Sequence, residues 1–235
     1  MYSGYGYGSG TMIGLILVLV AMGISMLCQA RIKSAYAKWR KVRNSRGITG
    51  AQVAREILDA NNMQDVPVMM VDGELSDHYD PTSRTVSLSK DIYNGASIAA
   101  VAVAAHECGH AIQHETHYAP LSIRSALVPV CNIGSSAGYV AVMIGLIFGL
   151  TSIAWVGFIL ELSILAFQLV TLPVEFDASR RGLAILRANY LSTDEYPGAR
   201  SMLTAAALTY VASMFVTLMS MIRLFLIIAG RSRRD

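Results

Sequence analysis

Charge is scarce in this chain. Only 15% of its residues are Asp, Glu, Lys or Arg, against about a quarter in an ordinary soluble domain. Hydrophobic residues make up 54% and mean hydropathy is +0.46, a membrane-protein composition. Cysteine is nearly absent as well. Cys28, Cys108 and Cys131 form no CxxC pair, and Cys28 and Cys131 fall in apolar runs, so no disulfide framework is implied. No internal repeat is visible, and low complexity is limited to the Tyr/Gly-rich start. Met1 to Gly10 contains no Lys or Arg, and no A-x-A-like site precedes the basic region. The start therefore reads as a span with its flank rather than as a signal peptide.

The apolar runs set a topology. Thr11 to Cys28 is uncharged and long enough to span with a little help from its flanks. Arg31, Lys33, Lys38, Arg40, Lys41, Arg43 and Arg46 follow at once, which places that end in the cytoplasm by the positive-inside rule. The juxtamembrane position explains this cluster through topology or anionic lipid, and no nucleic-acid partner is expected. Leu127 to Leu150 is uncharged, and Ile153 to Leu172 carries only Glu161. Thr151-Ser152 separates them, so they read as a hairpin with its turn outside. The chain then returns to the cytoplasm with Arg180, Arg181, Arg187 and Arg200. A last run, Met202 to Gly230, contains Arg223 and ends on Arg231-Ser-Arg-Arg-Asp, a basic end that would lie outside, against the rule. The expected layout is an external tail over 1–10, spans over 11–30, 127–150, 153–172 and 203–230, a cytoplasmic part over 31–126 and a cytoplasmic helix over 173–202. The fold class is mainly α: a polytopic helical membrane protein with a small cytoplasmic α+β, zincin-like part.

One short stretch carries chemistry. His106-Glu107-Cys108-Gly109-His110 reads H-E-x-x-H, the helical zinc-binding and general-base signature of metallopeptidases. Residues four apart share one face of a helix, so the imidazoles of His106 and His110 can converge on one ion. Glu107 can then address a water at the metal, whose pKa zinc lowers toward neutrality. The surrounding sequence supports a helix over about 97–115. Ser97 is a reasonable N-cap, an alanine-rich run leads into the motif, and no proline intervenes before Pro120. Gly109 weakens helicity but permits close backbone approach. His114 continues the row, yet it lies roughly 12 Å along the axis from His106 and cannot share an ion with it. Thr116 stands where the third His of the longer H-E-x-x-H-x-x-G-x-x-H pattern belongs, so His117 does not complete that pattern. Cys108 points about 200° away from His106 and reads as a small core residue.

A third ligand must come from downstream. The acidic candidates are Glu115, Glu161, Glu175, Asp177, Asp194 and Glu195. Glu115 is too near on the same helix to turn back. Glu161 is a candidate by its intramembrane position, but as a ligand it would require the histidines at mid-bilayer. Glu175 stands just inside the cytoplasmic face at the start of a helical pattern, where a second helix could present it to the histidine pair. Asp177 is the weaker alternative, two residues on and facing away.

The segment before the motif has its own signals. Thr49-Gly-Ala-Gln52 is a capping box opening a short amphipathic helix with Val53, Ala54, Ile57 and Leu58 on one face. Residues 67–71 and 84–88 read as two short strands around turns, able to hold an extended substrate by β-addition or simply to cover the core. In the cluster Asp77-His78-Tyr79-Asp80, His78 and Tyr79 are candidate transition-state stabilisers for an oxyanion, as are Tyr190 and Arg180. Stabilising a turn is the plainer role for that cluster.

Together the motif, the hairpin and the downstream E-F-D-A-S segment resemble the bacterial membrane-bound neutral zinc metallopeptidases of the YugP-like group. More distantly the arrangement is similar to HtpX-type membrane peptidases. The blocks Leu75 to Pro81, Val86 to Ser89, Ile98 to His114, Pro120-Leu121, Leu127 to Pro129 and Leu172 to Ser179 carry the likeness, which covers about residues 47–200. The resemblance implies one Zn2+ per chain held by His106, His110 and Glu175 in a gluzincin-like set, with Glu107 as the base. It also implies a protease of protein or peptide substrates in the bacterial cytoplasmic membrane, its site facing the cytoplasm. In the distant relatives a carboxylate usually sits four residues after the ligand Glu and supports a ligand His. Ser179 holds that place here.

The expected function is zinc-dependent endopeptidase activity at the cytoplasmic membrane face. The alternatives are an intramembrane-cleaving metallopeptidase with Glu161 as ligand, and a non-enzymatic membrane scaffold with a degenerate metal site. A membrane-protein partner or a homo-oligomer is compatible with every reading. If the last apolar run spans, a cysteine introduced at residue 235 will be labelled by an impermeant reagent from outside. Labelling only after the membrane is permeabilised would remove the fourth span.

Overall fold

The computed structural model describes residues 5–232, with side chains from residue 12 onward. Residues 1–4 of the expected tail and the chain end at 233–235 lie outside the described residues. In chain order the elements are α1 (Tyr5–Trp39), α2 (Gly50–Ala60), β1 (Val68–Val71), β2 (His78–Asp80), β3 (Thr85–Ser89), α3 (Lys90–Asn94), α4 (Ile98–Glu115), α5 (Ala119–Phe148), α6 (Thr151–Asn189) and α7 (Tyr196–Ser232). The chain is mainly helical, and among the described residues four helices are long and apolar enough to cross a membrane: Met12–Trp39 of α1, α5, α6 and α7. The expected boundary at residue 173 does not appear as an end of helix. α6 continues through Pro173 to Asn189, so residues 173–202 comprise the last turns of α6, a short connection and the start of α7. Proline forfeits one backbone hydrogen bond and crowds the preceding turn without always ending a helix.

The chain divides into two compact units. One comprises the described residues up to Cys28 together with 123–171 and 210–232. Its surface is apolar, with Ile133, Ile147 and Phe148 among many exposed large side chains, which suits a lipid environment. Within it α5 and α6 pack backbone to backbone. A Cβ on Gly145 would lie 2.4 Å from the Ala154 nitrogen, and one on Gly157 would lie 2.6 Å from the Gly138 carbonyl oxygen. Small residues allow such approach where hydrocarbon provides no hydrophobic drive between helices. Gly149, at φ +72°, makes the tight turn between the two helices. Glu161 is buried in this unit.

The other unit comprises 29–122 and 172–209 and contains the sheet, α2, α3 and α4. The Thr49 side chain accepts from the Gln52 amide while Gln52 accepts from the Thr49 amide, the capping box that starts α2. Val53, Ala54, Ile57 and Leu58 of α2 are buried in one cluster with Ala100, Val101, Ala104, Ala105 and Cys108 of α4. The sheet order is β1-β3-β2. β1 runs parallel to β3 with Val68 opposite Val86, and β2 runs antiparallel with Tyr79 opposite Val86. β2 is a strand where the sequence suggested a turn. Three polar residues are too few to show a two-residue hydrophobic period. The turn chemistry lies on either side of it. The Asp80 carboxylate accepts from the Thr82 amide and the Ser83 hydroxyl, and Asp77 accepts from the Ser89 amide and hydroxyl.

α4 and the C-terminal end of α6 cross at two glycines. A Cβ on Gly109 would lie 2.5 Å from the Ala178 carbonyl oxygen, and one on Gly182 would lie 2.8 Å from the Ala105 carbonyl oxygen. Both obstructions are backbone, which cannot swing aside. Gly109→Ala should gain about 1 kcal/mol of helix propensity but lose about 1–3 kcal/mol to overpacking. The substitution is therefore expected to lower the protein's melting temperature. An unchanged or higher melting temperature would contradict the close crossing.

Candidate metal centre

α4 begins where the Ser97 side chain accepts from the Ala100 amide at 3.1 Å, leaving the motif in the third turn of an alanine-rich helix. His106 and His110 stand on its same face, with ring centroids 4.8 Å apart and planes at 79°. From α6, Glu175 points between them. Its Oε2 lies 3.4 Å from His106 Nε2 and 3.6 Å from His110 Nε2. Among the described residues these three form a group whose ligand atoms lie within 4.8 Å of one another.

The geometry fits a zinc ion. Ligand atoms about 2.0–2.1 Å from a tetrahedral ion stand about 3.3 Å apart, close to the two carboxylate–imidazole spacings. Glu175 Oε2 is buried and has no hydrogen-bond partner, a costly arrangement for a carboxylate oxygen. Two imidazole nitrogens and a carboxylate oxygen are also a donor set suited to zinc.

Glu107 is buried beside this group. Burial pushes its carboxyl above the usual carboxylate range, opposed by the His106 and His110 charges and reinforced by Glu175. Burial also disfavours the His110 imidazolium, but the neighbouring Glu175 and Glu107 carboxylates outweigh it and raise its pKa. The two buried carboxylates thus favour the positive form of His110. A carboxyl of raised proton affinity is also suited to general acid–base work near neutral pH.

The outward nitrogens of both imidazoles are engaged. His106 Nδ1 meets the Ser179 hydroxyl at 3.2 Å. His110 Nδ1 meets Gln113 Oε1 at 3.0 Å. The Gln113 amide nitrogen donates to the Val174 carbonyl at 2.8 Å and to Asp177 Oδ2 at 3.0 Å. Asp177 also accepts from Arg180 and, at 2.5 Å, from Arg181 Nε. Gln113 is a residue whose contribution the sequence alone did not reveal. Its signal was available: position i+3 from His110 on one helical face.

The remaining acids are placed elsewhere. Glu115 pairs with Arg84 at 2.8 Å, Glu195 accepts from the Ser45 and Ser192 amides, and Asp194 is exposed. Glu161 is not part of the histidine group. Cys108 faces the core, its thiol 3.6 Å from the Ala54 carbonyl, and burial pushes that thiol up. His114 Nδ1 pairs with the Tyr79 hydroxyl at 2.8 Å, and His78 Nδ1 with the Ser76 carbonyl at 2.8 Å. The polar partners of His78 and Tyr79 are thus outside the His106–His110–Glu175 group. Tyr190 is buried and Arg180 is committed to Asp177. A cavity of about 750 Å3 lies between the last turns of α6 and the first turns of α7. Phe176, Leu183 and Leu203 line it, with Ser179, Arg180 and Arg187 among its polar groups. None of His106, Glu107, His110 or Glu175 lines it.

The family model described as "Putative neutral zinc metallopeptidase" matches residues 14–229. The chain belongs to that family of neutral zinc metallopeptidases. It is also 43% identical over 217 residues to a Bacillus subtilis (strain 168) protein described as "Putative membrane protease YugP", a match covering 92% of this chain and 96% of that protein. No solved structure matches the chain. Family membership and the four long apolar helices together make this a membrane-associated protein of a zinc peptidase family.

Proposed function

We propose that the chain is a membrane-embedded, zinc-dependent endopeptidase acting at the cytoplasmic face of the bacterial plasma membrane, with one zinc ion per chain. The observation that carries this reading is the buried, partnerless Glu175 Oε2 facing His106 Nε2 and His110 Nε2. His106, His110 and Glu175 would hold the ion. Zinc supplies Lewis acidity toward water and toward a peptide carbonyl. Glu107 takes the proton of the attacking water on its carboxylate and later delivers it to the nitrogen of the departing amine. Its burial beside the imidazoles keeps that proton away from bulk solvent and raises the carboxyl toward the pKa this double duty needs. β2 is an edge strand whose only pairing among the described residues is with β3. It offers backbone groups to an extended peptide. The oxyanion donor is assigned to His78 or Tyr79, the sequence candidates carried on that strand. The basic residues flanking the first span and those of 180–200 support the cytoplasmic placement.

Glu161 as ligand, the requirement of the intramembrane reading, gains no support from its place outside the histidine group. The test is casein cleavage by purified wild type and Glu107→Gln, both loaded with zinc in detergent. Wild type should cleave, and the variant should bind zinc yet lose about 100-fold or more of the rate. Equal cleavage would contradict the role of Glu107. Zinc binding with no cleavage by either would favour the scaffold.

A further inference from the structure

We infer that Gln113, held by Asp177, is a positioning residue that fixes the His110 proton on Nδ1 and so presents the Nε2 lone pair to the metal. This inference rests on the zinc reading above.

Gln113 is fully buried, and its amide group touches three partners. Two of them, the Val174 carbonyl at 2.8 Å and the Asp177 carboxylate at 3.0 Å, can only accept. The amide nitrogen must face them, because the reversed amide would set its oxygen against two other oxygens. Gln113 Oε1 is therefore turned to His110 Nδ1 at 3.0 Å, and an amide oxygen can only accept. The neutral His110 ring must then carry its proton on Nδ1. Its Nε2, 3.6 Å from Glu175 Oε2, is left with a lone pair pointing into the group.

Asp177 keeps the amide from turning. Arg180 and Arg181 both donate to it, which maintains an ionised acceptor facing Gln113. Val174 and Asp177 flank Glu175 on α6, so the same three hydrogen bonds that orient the imidazole of one ligand hold the helix that carries another. His106 is treated differently. Its Nδ1 partner is the Ser179 hydroxyl at 3.2 Å, which can donate or accept and so imposes no tautomer.

The loss of such an outer partner usually costs about 10–100-fold in metal affinity. The experiment compares full-length wild type, Gln113→Leu and Ser179→Ala in detergent by two readouts. The first is zinc affinity by chelator competition, alongside the melting temperature of the zinc-free protein. The second is the tautomer of His110 in zinc-free protein labelled with [15N]histidine, in buffer alkaline enough to neutralise the imidazoles. Wild type should show His110 protonated on Nδ1 alone. Gln113→Leu should show a mixture of tautomers and bind zinc about 10–100-fold more weakly, and Ser179→Ala should lose less. Tight zinc binding by wild type with equal binding by Gln113→Leu would overturn the role of Gln113 while leaving the zinc reading intact. Weaker binding with an unchanged tautomer would reduce Gln113 to a packing residue and also overturn it. Should Gln113→Leu fail to fold, wild type decides alone: a proton on His110 Nε2 overturns the inference. A wild type that binds no zinc refutes the metal site itself, a different result from either.

Discussion

α4 and α6 touch through their backbones, and the candidate centre depends on that contact. Gly109 lies against Ala178 and Gly182 against Ala105, with no room for a Cβ at either glycine. An ordinary helix pair sits about 8–10 Å apart, spaced by its side chains. Side chains at these two positions would widen the gap and withdraw Glu175 from the two histidines. The glycine in the middle of the motif costs helix stability, and what it gains is the distance at which three short side chains can share one ion. The polar interactions along the same crossing, from Gln113 to Val174 and Asp177, then set its register.

Burial and charge work against each other in this small volume. Glu107 and His110 are removed from water, which favours their neutral forms, while each partly offsets the loss for the other. The polar groups that burial would leave stranded are paired outward through Ser179 and Gln113. What remains unpaired is Glu175 Oε2, facing two imidazole nitrogens. Such a site is consistent with a fold that anticipates a cation, since an orphaned buried carboxylate oxygen is expensive to keep for any other purpose.

Much of this was legible in the chain. Local signals with a strict chemistry read correctly: Ser97 and Thr49 as caps, the alanine run as a helix, and the hydrophobic face of α2 against a core. The long apolar runs gave the helical membrane class. The strands β1 and β3 were visible because each is long enough to alternate or to run apolar. β2 was hidden by its brevity and by residues that also suit turns. The passage of α6 through Pro173 was hidden because proline is a strong but not absolute terminator. At the centre, the helical spacing made the histidine pair readable, whereas Gln113 was not. A glutamine shows its role only when its three partners are known, and two of those come from a helix some sixty residues away.

In the proposed site, two imidazoles and one carboxylate of this chain hold a single zinc ion. X-ray absorption at the zinc edge, with metal analysis of the same purified protein, tests it most directly. One zinc per chain is expected, surrounded only by nitrogen and oxygen at about 2.0–2.2 Å, with an imidazole signature for two ligands. A sulfur neighbour at about 2.3 Å, or zinc that washes away without altering the protein, would contradict it.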